Sequence, residues 1–356
     1  MAHIVLNKEK LQHNYTVLNN FFKERDIEWG VVAKLLCGNE IFLREVINLG
    51  IKQICDSRIS NLSTIKKINP NVETVYIKPT PKRSIEELIE VADVSFNTEL
   101  ETIKKISEAA QKANKLHKIV IMLELGELRE GVMREEFVEF YEEVFRLPNI
   151  EIAGIGTNLT CMYGVLPNND KLIQLSLYTQ IIEAKFNRKI PYISGGASVT
   201  IPLIKQGLLP QSINHFRVGE TLFCGTDVYN NEVYPDMNND VFTLYAEVLE
   251  INEKPMVPDG DLGLNLMGEQ TEVDTSLIGK VTHRALVDIG LLDIESEHIW
   301  PKKKYMEIIG ASSDMLVIDL KENDENIKVG DLIPFKMNYM GILRIMNSDY
   351  VDKKVI

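Results

Sequence analysis

A lysine at the end of an apolar segment is the first residue of this chain that could do chemistry. Lys34 follows the apolar run 29–33 and precedes the segment 35–39, after which a helical pattern covers 40–49. At the carboxyl end of a buried strand its ammonium would be removed from water, which lowers its pKa and frees the amine to form an imine. Pyridoxal phosphate (PLP) is held by a lysine in this way. Alternatively, Lys34 reaches past the strand end to solvent.

A glycine-rich segment further along the chain suits an anion such as a phosphate. Residues 194–198, SGGAS, follow the seventh predicted strand. The glycines let backbone amides approach an anion, and Ser198 can donate its hydroxyl hydrogen at a helix start. Taken alone, the motif is equally typical of a tight strand–helix turn capped by serine.

An arginine in the eighth predicted strand bears on the type of reaction. Arg217 lies two residues before Gly219. A guanidinium has no acceptor and keeps its proton, so next to a pyridine nitrogen it leaves that nitrogen unprotonated and limits how much negative charge the ring takes up. A carboxylate there would protonate the ring and favour decarboxylation or transamination. The alternative is an ion pair of Arg217 with Glu220 or another acid at the rim.

A dense group of charges, residues 124–131, follows the fifth predicted strand. For Glu127 and Glu130 we predict ion pairs with the other charged residues of this segment, at the rim of the barrel. Arg129 is the better candidate for supporting the cofactor or the carboxylate of a substrate.

These residues need a scaffold that brings strand ends together. Up to about residue 225, short apolar runs alternate with helical patterns, which indicates strand–helix units and a parallel sheet. The predicted strands are 30–33, 53–56, 74–77, 94–96, 119–123, 152–157, 192–193 and 215–218. The predicted helices are 10–22, 40–49, 59–68, 84–91, 100–114, 135–147, 172–186 and 199–205. Eight such units fit a (β/α)8 barrel of the TIM type better than a doubly wound sheet, and put Lys34 on its active face.

The composition changes after residue 225, where clusters of Asp, Asn, Pro and Gly separate alternating apolar runs. Strands without helices predict a second, C-terminal all-β domain. We therefore predict a barrel over 8–226 and a β domain over 227–356, joined by an N-terminal strand within 1–7. The segments 310–314 (GASSD) and 330–341, a strand leading to Tyr339 in a turn, are ordinary β-turn chemistry when taken alone.

The bulk composition excludes several classes of function. The chain has 356 residues and a net charge of −13, from 39 basic and 52 acidic residues, which disfavours nucleic acid as a partner. No apolar stretch approaches a membrane span, and the first residues lack a secretory signal, so we expect a cytoplasmic protein. The four cysteines are scattered singly, which predicts reduced thiols and no metal site.

Taken together, these motifs resemble the PLP-dependent alanine racemase superfamily, and most closely its alanine/ornithine racemase branch. The resemblance runs along nearly the whole chain, in the right order. It is carried by VVAKLLCGN, CDSRISNL, LELGELREGV, GIGTNLTCMYGV, SGGAS, FRVGE, GASSD and GDLIPFKMNYMG.

The resemblance implies a role for each residue of the barrel site. Lys34 is the Schiff-base lysine, and Ser198 with the backbone of Gly219 and Glu220 holds the phosphate. Arg217 faces the pyridine nitrogen. Arginine at this place is the choice of racemases, whereas the related basic amino-acid decarboxylases carry an acidic residue.

The resemblance also implies roles for residues of the β domain. GASSD is similar to the decarboxylase segment GPTCD, which a partner subunit contributes to the active site. Carried over, Asp314 recognises the distal ammonium of a substrate such as ornithine, and Ser313 takes the place of the catalytic cysteine. The high pKa of serine makes it a poor proton donor or acceptor without help.

Racemisation also needs a second proton-transferring group, opposite Lys34. Alanine racemases use a tyrosine of the partner subunit, but the corresponding stretch here, residues 262–266, contains none. Tyr339 is our candidate, because related enzymes bring a tyrosine from a similar terminal turn to the cofactor, and a phenol can be tuned towards acid–base catalysis.

The resulting prediction is a PLP-dependent racemase whose small-molecule substrate is an amino acid with a basic side chain, ornithine first, with lysine and then alanine as alternatives. The resemblance implies a homodimer with shared active sites. A decarboxylase of the same architecture is disfavoured by Arg217 and Ser313. A non-catalytic PLP-binding or carrier protein, and a structural barrel without cofactor, are the remaining alternatives.

Overall fold

The computed structural model describes residues 2–264, 268, 270 and 272–356, and the chain forms two compact units. One unit is Lys8–Asn239. The other combines the chain start, up to Asn7, with Asp240–Ile356. In the described part of the chain, every helix is too short or too polar to cross a membrane.

The first unit is a closed barrel of eight parallel strands. After β1 (His3–Leu6), which belongs to the other unit, the barrel strands are β2 (Glu28–Val32), β3 (Gln53–Asp56), β4 (Glu73–Tyr76), β5 (Val94–Asn97), β6 (His117–Met122), β7 (Ile150–Gly156), β8 (Tyr192–Ala197) and β9 (His215–Val218). Each strand pairs with the next along the chain, and β9 closes the barrel by pairing with β2. The predicted (β/α)8 fold class is confirmed.

Helices cover the outside of the barrel and alternate with its strands. They are α1 (Lys8–Lys23), α2 (Glu40–Asn48), α3 (Ile59–Ile68), α4 (Ile85–Val91), α5 (Leu100–Lys112), α6 (Phe137–Phe145), α7 (Asn169–Phe186), α8 (Ile201–Lys205) and α9 (Glu220–Cys224). Polar side chains cap several of them: Asn39 accepts the N–H of Phe42 at 3.1 Å, and Asn168 accepts that of Lys171 at 2.9 Å. Such caps fix where each helix begins after its strand.

The interior of the barrel has an apolar side and a polar side. The apolar side is a cluster of buried residues from strands β2 to β6: Val32, Cys55, Val75, Val94, Phe96, Val120 and Met122. The polar side comes from β8 and β9, where Ser194, His215 and Arg217 are buried. Because buried polar groups need hydrogen-bond partners, this side of the barrel is organised by specific contacts.

Residues 227–239 lie in the barrel unit, although composition predicted the second domain for them. Most of a short hairpin falls among them, formed by β10 (Thr226–Asp227) and β11 (Glu232–Val233). The buried side chain of Asn14 explains this placement, since it donates to Leu222 O at 3.0 Å and to Asn238 O at 2.8 Å. Asn14 also accepts the N–H of Asn238 at 2.8 Å.

The second unit is built on a mostly antiparallel sheet. Its further strands are β12 (Phe242–Pro255), β13 (Val281–Val287), β14 (Ile299–Pro301), β15 (Glu307–Ala311), β16 (Leu316–Asp319), β17 (Leu332–Met337) and β18 (Asp352–Val355). The strand order is β14-β17-β12-β13-β16-β15, with β1 pairing to β12 and to β18. One helix, α10 (Tyr339–Asn347), was not predicted, so this unit is mostly but not entirely β.

Candidate active site

Lys34 stands just beyond the first barrel strand. Strand β2 ends at Val32, and Lys34 begins a short 3-10 turn that ends at Cys37 in the left-handed region. Lys34 is exposed. The predicted removal of its amine from water is therefore wrong, because the residue lies two positions past the strand, on the rim of the barrel.

Two acidic residues lie within electrostatic range of Lys34. Asp56 ends β3, and burial raises its pKa to about 6, while hydrogen bonds from Arg58 N–H and Asn61 and the charge of Lys34 act in the opposite direction. Glu220 is the first residue of α9; burial raises its pKa, again against the charge of Lys34. The carboxyl face of the barrel thus places acids from β3 and α9 around the amine.

Ser198 and the segment after β9 come together at one side of this face. The buried Ser198 follows β8, and its Oγ accepts the N–H of Thr221 at 3.2 Å. Gly196 has a φ of +128°, a conformation that favours glycine. At Gly219 an added Cβ would lie 3.0 Å from Val32 O, so the chain approaches the first strand closely there. Because Ser198 accepts from Thr221, its own hydroxyl hydrogen can serve another group.

Arg217 is buried, with 4% of its surface exposed. Its Nη2 donates to Thr157 O at 2.9 Å, and its Nη1 donates to Ser194 Oγ. The guanidinium carbon lies 5.0 Å from the centre of the Phe96 ring. Burial lowers the pKa of Arg217. The alternative ion pair with Glu220 is not observed among the described residues.

Arg129 and Glu130 form an ion pair near Arg217. Arg129 Nη2 donates to Glu130 Oε1 at 2.5 Å, and Nε donates to the other oxygen. This bidentate pair raises the pKa of Arg129. Both charges affect the pKa of Arg217, and so does Cys161. Cys161 Sγ accepts a hydrogen bond from Asn158 Nδ2 at 3.1 Å. The predicted pairing at the rim is therefore observed for Glu130.

Glu127 has a different environment, and the ion-pair interpretation of it is wrong. It is buried, and its two carboxylate oxygens accept backbone N–H groups from the loop that follows β7. The donors are the N–H groups of Thr160, Cys161, Met162, Tyr163 and Val165. This loop, residues 160–165, is hereafter the Glu127 loop.

The candidate residues Ser313 and Asp314 lie in the second unit, in the hairpin turn between β15 and β16. Both are exposed. Ser313 Oγ and Ser312 Oγ donate to Asp314 Oδ1, at 3.3 and 3.2 Å. An added Cβ at Gly290 would lie 2.5 Å from Asp314 N, so the turn packs directly on that glycine.

Tyr339, the remaining candidate of this unit, is the first residue of α10 and not part of a turn. The helix begins there because Asn338 caps it, accepting the N–H of Gly341 at 2.9 Å. Tyr339 is partly buried. In the stretch 262–266, which contains no tyrosine, residues 265 and 266 lie outside the described residues.

Comparison with known sequences identifies the class of protein to which this barrel and its carboxyl face belong. Residues 6–227 match the alanine racemase N-terminal domain family. The chain belongs to this family. It is 35% identical over 354 residues to an ornithine racemase of Acetoanaerobium sticklandii, covering 99% of both chains. It is 30% identical over 350 residues to a lysine racemase of Thermotoga maritima, covering 98% of this chain and 97% of that one.

Solved structures show the same fold over the whole chain. An alanine racemase of Clostridium difficile 630 has a TM-score of 0.76 at 18% identity, over 100% of this chain and 95% of that one. An alanine racemase from Bartonella henselae with covalently bound pyridoxal phosphate has a TM-score of 0.73 at 16% identity, over 100% of this chain and 99% of that one.

Several residues at this face, or in the barrel interior behind it, were not found from the sequence. Asp56 was recognised only as part of a motif, and Thr157, Ser194 and His215 were not singled out. A polar residue inside an apolar run is the signal that could have found them, since a buried polar group must be paired. Their partners lie on other strands, so the sequence alone does not reveal the contacts.

Proposed function

We propose that this protein racemises ornithine with PLP as its cofactor. Its class, a PLP-dependent amino-acid racemase and hence an isomerase, follows from its family and from two racemase relatives that align along nearly its whole length. The observation that carries the proposal is the buried Arg217, a group that only donates, in a barrel whose carboxyl face also holds Lys34 and Ser198. The ornithine racemase relative supports the choice of substrate.

The residues of the barrel face fit PLP. Ser198 has a hydroxyl hydrogen left for a phosphate oxygen, and the backbone of Gly219 and Glu220 lies beside it. Thr157 Oγ1 is buried and has no hydrogen-bond partner among the described residues, so it can bond to a polar group at this face. Lys34 would hold the cofactor covalently, and Arg217 would face its pyridine nitrogen.

Bound PLP supplies an electron sink that makes the Cα proton of an amino acid easier to remove. Arg217, which only donates, keeps the pyridine nitrogen unprotonated and so favours return of the proton over loss of carbon dioxide. In this proposal Lys34 moves the proton on one face of Cα, and Tyr339 moves it on the other.

Substrate recognition is assigned to the hairpin turn of a second copy of the chain. In this arrangement the enzyme is a homodimer, and Asp314 of one copy binds the distal ammonium of ornithine at the barrel of the other. The exposed carboxylate of Asp314 supports this role, since two serine hydroxyls orient one of its oxygens. Ser313 then serves chiefly to hold Asp314. Arg129 supports the carboxylate of the substrate or the cofactor.

We also place the enzyme in the cytoplasm. Within its described residues the structure contains no disulfide, which suits a reducing compartment. Fractionation of cells tests the location. Static light scattering of the purified protein tests the dimer.

The test of the proposed function is chiral chromatography of purified protein incubated with PLP and L-ornithine, with L-lysine and L-alanine run in parallel. D-ornithine is the expected product, and Lys34→Ala should abolish it. Racemisation of alanine but not ornithine would remove Asp314 from its role. Formation of putrescine alone would mean a decarboxylase, and PLP binding without any product would mean a carrier protein.

A further inference from the structure

Five polar side chains form a row of hydrogen bonds through the barrel interior, ending at Arg217. Arg217 Nη1 donates to Ser194 Oγ, which lies 2.9 Å from His215 Nδ1. His215 Nε2 lies 2.8 Å from Gln53 Oε1, and Gln53 Nε2 donates to Glu73 Oε2 at 2.7 Å. All but Glu73 are buried. These five residues are termed the barrel relay.

The two ends of the barrel relay fix every hydrogen between them. Arg217 can only donate, and the carboxylate of Glu73 can only accept. Gln53 gives its N–H to Glu73, so its oxygen faces His215, and the ring must carry its hydrogen on Nε2. Nδ1 then accepts the hydroxyl hydrogen of Ser194, whose lone pairs are left for Arg217. All four hydrogen bonds therefore point the same way.

The barrel relay requires a neutral imidazole. Protonation of both ring nitrogens would make Nδ1 a donor to Ser194 Oγ, so that the hydroxyl hydrogen would lose its acceptor and two cationic donors would meet at one oxygen. Burial, followed by the charge of Arg217, lowers the pKa of His215 to about 3. Cys55 also donates to the oxygen of Gln53, with its Sγ 3.8 Å from Oε1. Burial raises the pKa of Cys55 to about 12, so it stays a thiol and keeps the hydrogen that it donates.

Gly30 leaves room for the contact between Gln53 and His215. It lies on β2, opposite Arg217 in the register with β9, and β2 separates the strands that carry Gln53 and His215. An added Cβ would lie 2.8 Å from Cys55 Sγ and closer still to Gln53 Oε1. A side chain at this position would therefore push Gln53 away from His215.

The far end of the barrel relay lies at the opposite mouth of the barrel. Gln53, Glu73 and His215 are the first residues of β3, β4 and β9, whereas Arg217 is near the carboxyl end of β9. The first three residues line a cavity of about 660 Å³. Outside the lining of this cavity, Lys118 Nζ lies 4.0 Å from Glu73 Oε1. The anionic end of the relay is thus accessible and paired, while its cationic end is buried.

We infer that His215 is a positioning residue for Arg217, acting through Ser194. It keeps the lone pairs of Ser194 turned to the guanidinium, and together with Thr157 O this fixes the plane of Arg217. The inference rests on the proposed function, because that plane matters where Arg217 faces the pyridine nitrogen. The aligned hydrogen bonds also stabilise a buried cation that forms no ion pair among the described residues.

The first test reads the hydrogens of the imidazole directly. Protein labelled with ring-15N histidine is measured by long-range 1H–15N NMR at neutral pH, and both His215→Gln and Gln53→Met identify the His215 signals. We expect a neutral ring that carries its hydrogen on Nε2. A hydrogen on Nδ1, alone or with Nε2, would overturn the inference. This measurement needs no catalysis, so a negative result can be told apart from failure of the proposed function.

The second test asks whether the barrel relay affects the reaction. Gln53→Met removes the acceptor for His215 while keeping a side chain of similar length. We expect kcat to fall about tenfold with little change in KM, and the visible absorption band of the bound cofactor to shift. His117→Gln is the matched control, because His117 is buried and lies 2.8 Å from Ser95 Oγ but has no link to Arg217. Equal losses in both variants, or none in Gln53→Met, would reject the inference.

Gly30→Ala tests the same point without removing any polar group. The added methyl should displace Gln53, and we expect the same change in the His215 signals and the same fall in kcat as in Gln53→Met. Circular dichroism establishes that the variant is folded. A folded Gly30→Ala protein with displaced His215 signals and unchanged kcat would show that the barrel relay does not position Arg217.

Discussion

The carboxylate of Glu127 accepts the backbone N–H of Cys161 at 2.7 Å, as one of five such bonds to the Glu127 loop. Glu127 is 1% exposed. Burial raises its pKa, but the N–H groups outweigh this effect and hold the pKa below its usual value. One side chain thus supplies the acceptors that the backbone of the loop needs, and the conformation of the loop depends on it.

Glu127→Gln should loosen the Glu127 loop. An amide offers one acceptor oxygen in place of two, so N–H groups bonded to the other oxygen lose their partner. We expect the free energy of unfolding to fall by about 1–3 kcal/mol, and amide hydrogen exchange in 160–165 to accelerate. Mass spectrometry of exchanged protein measures the second effect.

Glu99→Gln is the control for this prediction. Glu99 also accepts a backbone N–H, from Thr102 at 2.8 Å, but at the start of α5. Its replacement should leave exchange in the Glu127 loop unchanged. Equal exchange of that loop in wild type and Glu127→Gln would contradict the prediction.

Ser198→Ala should weaken the binding of PLP. The hydroxyl hydrogen that Ser198 can give to a phosphate is lost, and a hydrogen bond to a charged group contributes about 1.5–3 kcal/mol. The Kd for PLP, from titration of cofactor-free protein, should therefore rise about tenfold or more. Ser107→Ala is the control, since Ser107 is buried and donates to Pro148 O, away from the site. A similar Kd in both variants would remove Ser198 from the phosphate site.

The barrel was predictable because most of its strands are short apolar runs between helical patterns. The predictions 53–56 and 215–218 coincide with β3 and β9, and 59–68 coincides with α3. Strand β8 was predicted too short, because its last residues are small or glycine and carry no strand signal. Helix α10 was missed, since a nine-residue helix directly after a strand has no separate signal in a β-rich region.

The site was predictable only where one residue type implies chemistry by itself. Lys34, Ser198 and Arg217 follow from their types at strand ends. The contact of His215 with Gln53 joins residues 162 positions apart, and only closure of the barrel brings them together. No local pattern contains such a contact, so the barrel relay needed the structure.

Tyr339→Phe should separate racemisation from proton exchange. In the proposed mechanism Tyr339 is one of two proton-transferring groups, so its loss should slow racemisation about 100-fold or more. In D2O, Lys34 should still exchange the Cα proton of one ornithine enantiomer, because its face of the substrate is unaffected. Mass and chiral analysis of the recovered ornithine measure both rates.

The control is Tyr350→Phe, at a tyrosine of the same unit that is 81% exposed. It should racemise ornithine as fast as wild type. Unchanged racemisation by Tyr339→Phe would mean that another group serves the second face.

Asp314→Asn should change the choice of substrate more than the rate of chemistry. Loss of the negative charge should lower kcat/KM for ornithine about tenfold to a hundredfold and leave alanine, which has no distal ammonium, nearly unaffected. Ser313→Ala should have a smaller effect of the same kind, because Ser313 bonds to Asp314. Asp349→Asn, at an exposed position of the same unit, is the control. An equal loss for ornithine and alanine would contradict recognition of the ammonium by Asp314.

His117 should make the protein less stable in acid. Burial lowers its pKa from 6.5 to about 4, with a smaller effect of Lys115 and an opposing one of Asp93. Between these pH values the unfolded chain binds a proton that the folded protein does not, so the stabilising contribution is complete above pH 6.5 and is lost as the pH falls towards 4. The loss from this residue is about 3 kcal/mol. Urea unfolding at several pH values should therefore show a shallower pH dependence for His117→Gln than for wild type, whereas parallel curves would mean that folding does not lower the pKa of His117.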